Sequence, residues 1–202
     1  MQPSTTQKKA PGFTLVELII VVAIIMIVAV ISVPKMLNIM SDINLRYFAT
    51  NYTGLLQSAR MQAVRKNAYY QVKPTSLPTG GTGYYVHAQG AAYAAGDPLL
   101  PLGTQITVYN GTGSGAPNET TFTNSFTNFT VYSGSNHPSF NARGLPCIVA
   151  SGLCSQNAGQ GFVVFMSKPA PTGNIAWASV VITPSGHMQL WTYDGTAWIQ
   201  RD

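Results

Sequence analysis

Glu17 is the first residue of chemical consequence in this chain. It lies near the start of an apolar run from Phe13 to Val33, in which Ser32 is the only strongly polar residue after Glu17. Burying a carboxylate in a bilayer costs about 2.5–3.5 kcal/mol, and such acids are normally paired. Two readings stand: Glu17 sits at the membrane interface, or it meets a cation within the membrane. No base in the run can serve, but an amine created by cutting the chain before Phe13 can. The second candidate is the pair Cys147 and Cys154, the two cysteines of the chain, with six residues between them. In an oxidising compartment they form a disulfide closing a short loop; two free buried thiols or a pair of metal ligands are the alternatives.

The remaining inventory is poor in catalytic groups. His87, His137 and His187 are fifty residues apart, with neither H-x-x-x-H nor H-E-x-x-H spacing, and read as ordinary surface or turn histidines. There are six acidic residues, and none form a close pair in sequence beyond the stem. Gly80-Gly81-Thr82-Gly83 and Gly111-Thr112-Gly113-Ser114-Gly115 lack a following Lys-Ser/Thr and open no helical pattern, so they read as loops rather than phosphate cradles. The expectation is a protein that is not an enzyme, with no metal and no cofactor.

The elements that carry these residues follow from length and charge. Phe13 to Val33 is 21 residues, roughly 32 Å of helix against a hydrocarbon core of about 30 Å. The run exceeds the 7–15 apolar residues of a secretory signal, and Lys35-Met36-Leu37-Asn38 offers no small-residue cleavage site, so the segment stays in the mature chain. Lys8 and Lys9 ahead of it put the N-terminus in the cytoplasm and the rest outside. Only 8 % of the 202 residues are charged, against roughly 25 % in soluble domains. The formal net charge of +5 is uneven. Lys35, Arg46, Arg60, Arg65 and Lys66 against Asp42 give residues 34–66 a charge of +4, whereas residues 67–202 balance four bases with four acids. A neutral head argues against nucleic acid as a partner.

Beyond the span, Pro34 removes the hydrogen bond to the Val30 carbonyl and is expected to kink the helix. Met36, Met40, Ile43, Tyr47, Phe48, Tyr52, Leu55, Ala59 and Ala63 continue an apolar stripe at spacings of mostly three and four, predicting an amphipathic helix to about Asn67 with its basic residues solvated. The head reads as β. Strands are predicted over Tyr69–Lys73, Tyr84–Ala88, Gln105–Asn110, Asn128–Ser133, Phe162–Ser167, Ile175–Thr183, Met188–Tyr193 and Ala197–Gln200. Asp194-Gly195 predicts a two-residue hairpin, and 74–83, 90–103 and 111–125 are expected to be loops.

Lys8-Lys9-Ala10-Pro11-Gly12 followed by Phe13-Thr14-Leu15-Val16-Glu17 resembles the type III signal of type IV prepilins and type II secretion pseudopilins. The resemblance implies cleavage after Gly12 by prepilin peptidase, N-methylation of Phe13, and pairing of Glu17 with the Phe13 amine of a neighbouring subunit during assembly. Gln57–Asn67, Phe140–Pro146 and Ile182–Gly186 are similar to segments of the GspH/FimT pseudopilins, although Gln62 stands where that family usually has an acid. This finer resemblance implies a minor, tip-associated subunit.

The expected fold is α+β, a long helix on an antiparallel β head: a leader at 1–12, a transmembrane helix at 13–34, its periplasmic continuation at 35–67 and the head at 68–202. The expected function is a structural subunit of a pseudopilus or type IV pilus, single-pass in the inner membrane before assembly. Its partners would be other pilin subunits, prepilin peptidase and the membrane assembly platform. A major pilin and a DNA-binding minor pilin are the alternatives.

Overall fold

The computed structural model describes residues 12–77, 80–89, 91–111, 113–126, 130–132, 137–155 and 159–201. Helix α1 spans Leu15–Lys66, 52 residues, or about 78 Å. Thr14 caps its start, the hydroxyl accepting from the Glu17 amide at 3.2 Å. Asn67 ends it in a left-handed conformation (φ 49°), a region Asn tolerates better than most residues. Pro34 lies inside the helix rather than at its end.

Two sheets pack on the outer half of α1. The first, in order β3-β2-β1-β6, joins β1 (Tyr70–Ser76), β2 (Thr82–Ala88), β3 (Leu99–Pro101) and β6 (Ser139–Phe140). The second, in order β12-β11-β10-β9-β4, joins β4 (Thr107–Asn110), β9 (Gln160–Pro169), β10 (Ile175–Ile182), β11 (Met188–Tyr193) and β12 (Trp198–Arg201). β5 (Thr130–Tyr132) pairs with β9 in parallel, the one departure from the antiparallel pattern among the described pairs. β7 (Ile148–Ala150) and β8 (Leu153–Ser155) form a separate hairpin. All eight predicted strands have a counterpart, but Asn128, Phe129 and Ser133 of the predicted fifth strand lie outside the described residues.

The helix buries the second half of the expected stripe, Phe48, Tyr52, Leu55, Ala59 and Ala63, but not its first half. Ser41, Leu45, Phe48, Ala49, Tyr52, Leu55, Leu56, Ala59 and Ala63 face the head. Met36, Met40, Ile43 and Tyr47 are each at least half exposed. The two part just beyond the membrane segment, where hydropathy favoured Met36, Met40, Ile43 and Tyr47 over Ser41 and Leu45. What decides between them is where the head first reaches the helix.

β9 and β10 are buried on both faces. Ala176, Ala178, Val180 and Ile182 join the core under α1 with Tyr52, Leu56, Val86 and Phe140. Trp177 and Val181 join Val163 and Phe165 beneath Phe122 on the other side. Phe122 belongs to a short helix, α2 (Glu119–Asn124), which the expected 111–125 loop had concealed. Its ring stacks on Trp198 at 4.6 Å and meets Trp191 edge-on at 5.3 Å, so these tryptophans are packing residues. Likewise β3 falls within the expected 90–103 loop, and β1 and β2 extend into 74–83. The Asp194-Gly195 turn takes four residues rather than two. Asp194 Oδ1 accepts from the Thr196 and Ala197 amides and the Thr196 hydroxyl, each at 2.8 Å, and these bonds lower the carboxylate's pKa to about 2.

Candidate functional site

The first turn of α1 carries the candidate assembly chemistry. Gly12 and Phe13 precede the helix, and Glu17 lies in its first turn, where an acid suits the positive end of the dipole. Its backbone amide is engaged by Thr14. Lys8 and Lys9 lie outside the described residues. From Phe13 to Val33 the large apolar side chains are 42–78 % exposed, so the head covers none of this segment. An apolar helix of this length and exposure needs lipid or other helices around it. Pro34 marks where that segment ends.

At the far end of α1 a second constellation ties helix to head. Arg60 Nε donates to the Gly144 carbonyl at 2.9 Å, and Arg60 Nη2 to the Ser185 carbonyl at 3.3 Å. Gly144 (φ 74°) and Gly186 (φ 78°) turn these two loops under the guanidinium. A Cβ at Gly186 would sit 2.6 Å from the Gly144 oxygen, and one at Gly144 would sit 3.0 Å from Val64 Cγ2. Asn141 Oδ1 supports the first loop by accepting from the Arg143 and Leu145 amides at 2.9 and 3.1 Å. The three segments singled out from sequence, one on α1 and two in the head, therefore meet at Arg60. Arg60 was expected to be solvated, and the structure corrects this. Nothing in helical periodicity signals a side chain that bonds carbonyls 84 and 125 positions away. Gln62, in the next turn, donates to the Ser58 hydroxyl at 3.4 Å.

Cys147 and Cys154 are joined in a disulfide with Cα atoms 5.5 Å apart, closing the hairpin of β7 and β8. The histidines occupy different settings. His87 is buried on the face of β2 away from α1, beside Tyr85, and neither ring nitrogen has a hydrogen-bond partner among the described residues. Burial, and secondarily the Lys73 charge, lowers its pKa to about 4. His137 Nδ1 lies 3.1 Å from Asn110 Nδ2, and its pKa is also lowered, by burial and then Lys73. His187 sits in the β10–β11 turn. Among the described residues no three His, Cys, Asp or Glu side chains cluster as metal ligands would. The Gly111–Gly115 loop does lead into a helix, contrary to expectation. Its Gly113 and Gly115 amides are occupied by the Glu119 carboxylate, with the Ser114 hydroxyl donating to the same group at 2.9 Å.

Residues 7–33 match the family described as the prokaryotic N-terminal methylation motif. No curated protein and no solved structure matches the chain. The motif supports a type IV pilin-like or pseudopilin protein, processed by prepilin peptidase and held at the inner membrane by its apolar helix. The class it points to is structural rather than catalytic. The long helix packed on β-sheets is consistent with a pilin-like fold.

Proposed function

We propose that this chain is a minor pseudopilin or pilin of the GspH/FimT type, built into a type II secretion pseudopilus or a type IV pilus near its tip. The observation that carries the reading is the uncovered apolar helix with Glu17 in its first turn, within the methylation motif. The convergence of the three GspH/FimT-like segments on Arg60 supports the finer assignment.

In this reading the leader stays cytoplasmic, the peptidase cuts after Gly12, and the new Phe13 amine is methylated. Gly12 offers a backbone free of side-chain bulk to a protease cleft beside the membrane. Glu17 then stands four residues from the amine of its own chain, and the same groups can pair between chains. A carboxylate and an ammonium meeting in hydrocarbon neutralise two charges that are each costly alone. Only one axial stagger of two helices brings them together, so the pair sets register as well as affinity. A head with no net charge gives a DNA-receptor role little electrostatic support.

The experiment is incorporation of Glu17→Ala into sheared filaments. The variant should insert and be cut to begin at methylated Phe13 by intact mass, yet accumulate in the membrane rather than the filament. Incorporation equal to the parent's would leave Glu17 as an interfacial residue and defeat the pairing. Counting the chain against the dominant subunit in the same preparation tests the minor role; stoichiometric abundance would make it a major pilin.

A further inference from the structure

Just beyond the membrane segment the head does not close on the helix. A cavity of about 460 Å³ opens there, within the size range of small-molecule sites. Asn38, Ser41, Asp42 and Arg46 of α1 form one wall, and Asn174 and Asp194 contribute from the β9–β10 and β11–β12 turns opposite. A hydrogen bond from the Thr172 hydroxyl to Asn38 Oδ1 holds the β9–β10 turn beside its rim. Three features of its lining are unspent among the described residues. Ser41 is only 4 % exposed, and no hydrogen bond from these residues engages its hydroxyl. Asp42 and Arg46 are one helical turn apart, a spacing at which opposite charges usually pair, yet they make neither an ion pair nor a side-chain hydrogen bond there. Asp194 spends Oδ1 on its own turn and leaves Oδ2 without a bond.

We infer that this cavity binds the zwitterionic headgroup of phosphatidylethanolamine. The lining presents both signs of charge at once: a guanidinium for a phosphate, and two carboxylates for an ammonium. The amide of Asn174 and the hydroxyl of Ser41 add neutral partners. The site also stands where a lipid can reach it. Asn38, at the near edge of the lining, is five residues past Val33, or about 7–8 Å along the axis, and Asp42 and Arg46 stand about 14 and 20 Å past it. The headgroup layer outside the hydrocarbon is roughly 5–8 Å thick, so a lipid meets the lining at Asn38 and the two charges reach back to it. Side chains on a helix lean toward its N-terminus, which is the membrane side here, so Asp42 and Arg46 project back toward the lipid rather than away from it. A primary ammonium donates three hydrogen bonds that carboxylates can accept; the trimethylammonium of phosphatidylcholine donates none, and phosphatidylglycerol has no cation. A bound headgroup would brace the base of the head against the bilayer before the subunit is drawn into a filament.

The inference rests on the membrane-anchored reading, and the test separates the two. The full chain is reconstituted in nanodiscs of equal phosphatidylethanolamine, phosphatidylglycerol and phosphatidylcholine, released into mild detergent, and weighed by native mass spectrometry. Retention of phosphatidylethanolamine over phosphatidylcholine by about ten-fold is expected. Asp42→Asn and Arg46→Gln should each abolish that preference, while Arg65→Gln, outside the cavity, should keep it. Free O-phosphoethanolamine should displace the retained lipid and free phosphocholine should not. Equal retention of the two zwitterions, preferential retention of phosphatidylglycerol, or selectivity unchanged in both cavity variants would overturn the assignment. Failure of the chain to enter the nanodiscs at all would instead overturn the anchoring.

Discussion

Arg60 on the helix and Gly144 in a loop of the head are joined by a 2.9 Å hydrogen bond that spans 84 residues of sequence. Together with the bond to Ser185 it fastens the far end of α1 to both sheets, since one loop follows β6 and the other links β10 to β11. The near end of α1, by contrast, carries the segment that the head leaves bare. The molecule is thus a rod fixed firmly at one end and available to other helices at the other.

The Arg60 contact predicts an asymmetric pair of variants. Arg60→Lys keeps the charge but loses the fork that reaches two carbonyls, and should lower unfolding stability by about 2 kcal/mol. Gly186→Ala should cost at least as much, because its Cβ would press on the Gly144 oxygen at 2.6 Å from a backbone with φ 78°. Urea unfolding of the detergent-solubilised chain measures both. Stability equal to the parent's in each variant would mean that the contact does not hold the helix end.

Stability should fall on mild acidification, and His87 should be the main cause. Its folded pKa of about 4 lies below the unfolded value of 6.5, so the unfolded chain takes up the proton first. The full stability is present above about pH 6.5 and is lost as pH falls toward 4, by roughly 2–3 kcal/mol. Around the ring, Lys73 and His137 oppose its protonation and Asp97 favours it. Unfolding midpoints at pH 7.5 and 4.5 should diverge in the parent and converge in His87→Leu, with a residual slope left by His137, whose pKa is lowered in the same direction.

Tyr52→Phe should stabilise the fold. The Tyr52 hydroxyl is buried without a hydrogen-bond partner among the described residues, and burial pushes its pKa well above 10. Phe keeps the edge-on contact with Tyr84 at 5.3 Å and removes a polar group that water satisfies only in the unfolded chain. A gain of about 1 kcal/mol is expected in the same urea assay. A loss would point to a partner for the hydroxyl in solution.

The Cys147–Cys154 bridge closes a loop of eight residues, counting both cysteines, worth about 2.5 kcal/mol in the chain-entropy account. Thiol labelling of the denatured, unreduced chain from periplasm-exposed membranes should find no free sulfur. Reductant should lower the unfolding midpoint of the parent and leave Cys147→Ala/Cys154→Ala unmoved. Two labelled sulfurs per chain would exclude the bridge.

Much of this architecture is legible one residue at a time. The apolar run, its lone acid and the motif before it need no tertiary information, because a bilayer acts on hydropathy and length alone. The strands β9, β10 and β11 are legible for a similar reason: dense β-branched and aromatic runs ended by Pro184-Ser185-Gly186 and Asp194-Gly195 permit little else. The helix α2 is hidden because Glu119–Asn124 is Thr-rich and too short to show a period. It forms where Phe122 can cover the tryptophans, and the Glu119 carboxylate anchors the loop in front of it.

The primary sequence by itself determined that this chain has an apolar N-terminal segment and a β head, and that Glu17 is the lone acid of the apolar run. Those properties follow from solvent preference, which each residue carries with it. Only the tertiary structure decided that the buried stripe of α1 begins at Ser41 and Leu45, that Arg60 is a fastener rather than a solvated charge, and that Ser41, Asp42 and Arg46 face a cavity. Each of these depends on where the head meets the helix, and so on contacts between residues scores of positions apart, which local hydropathy and spacing do not encode.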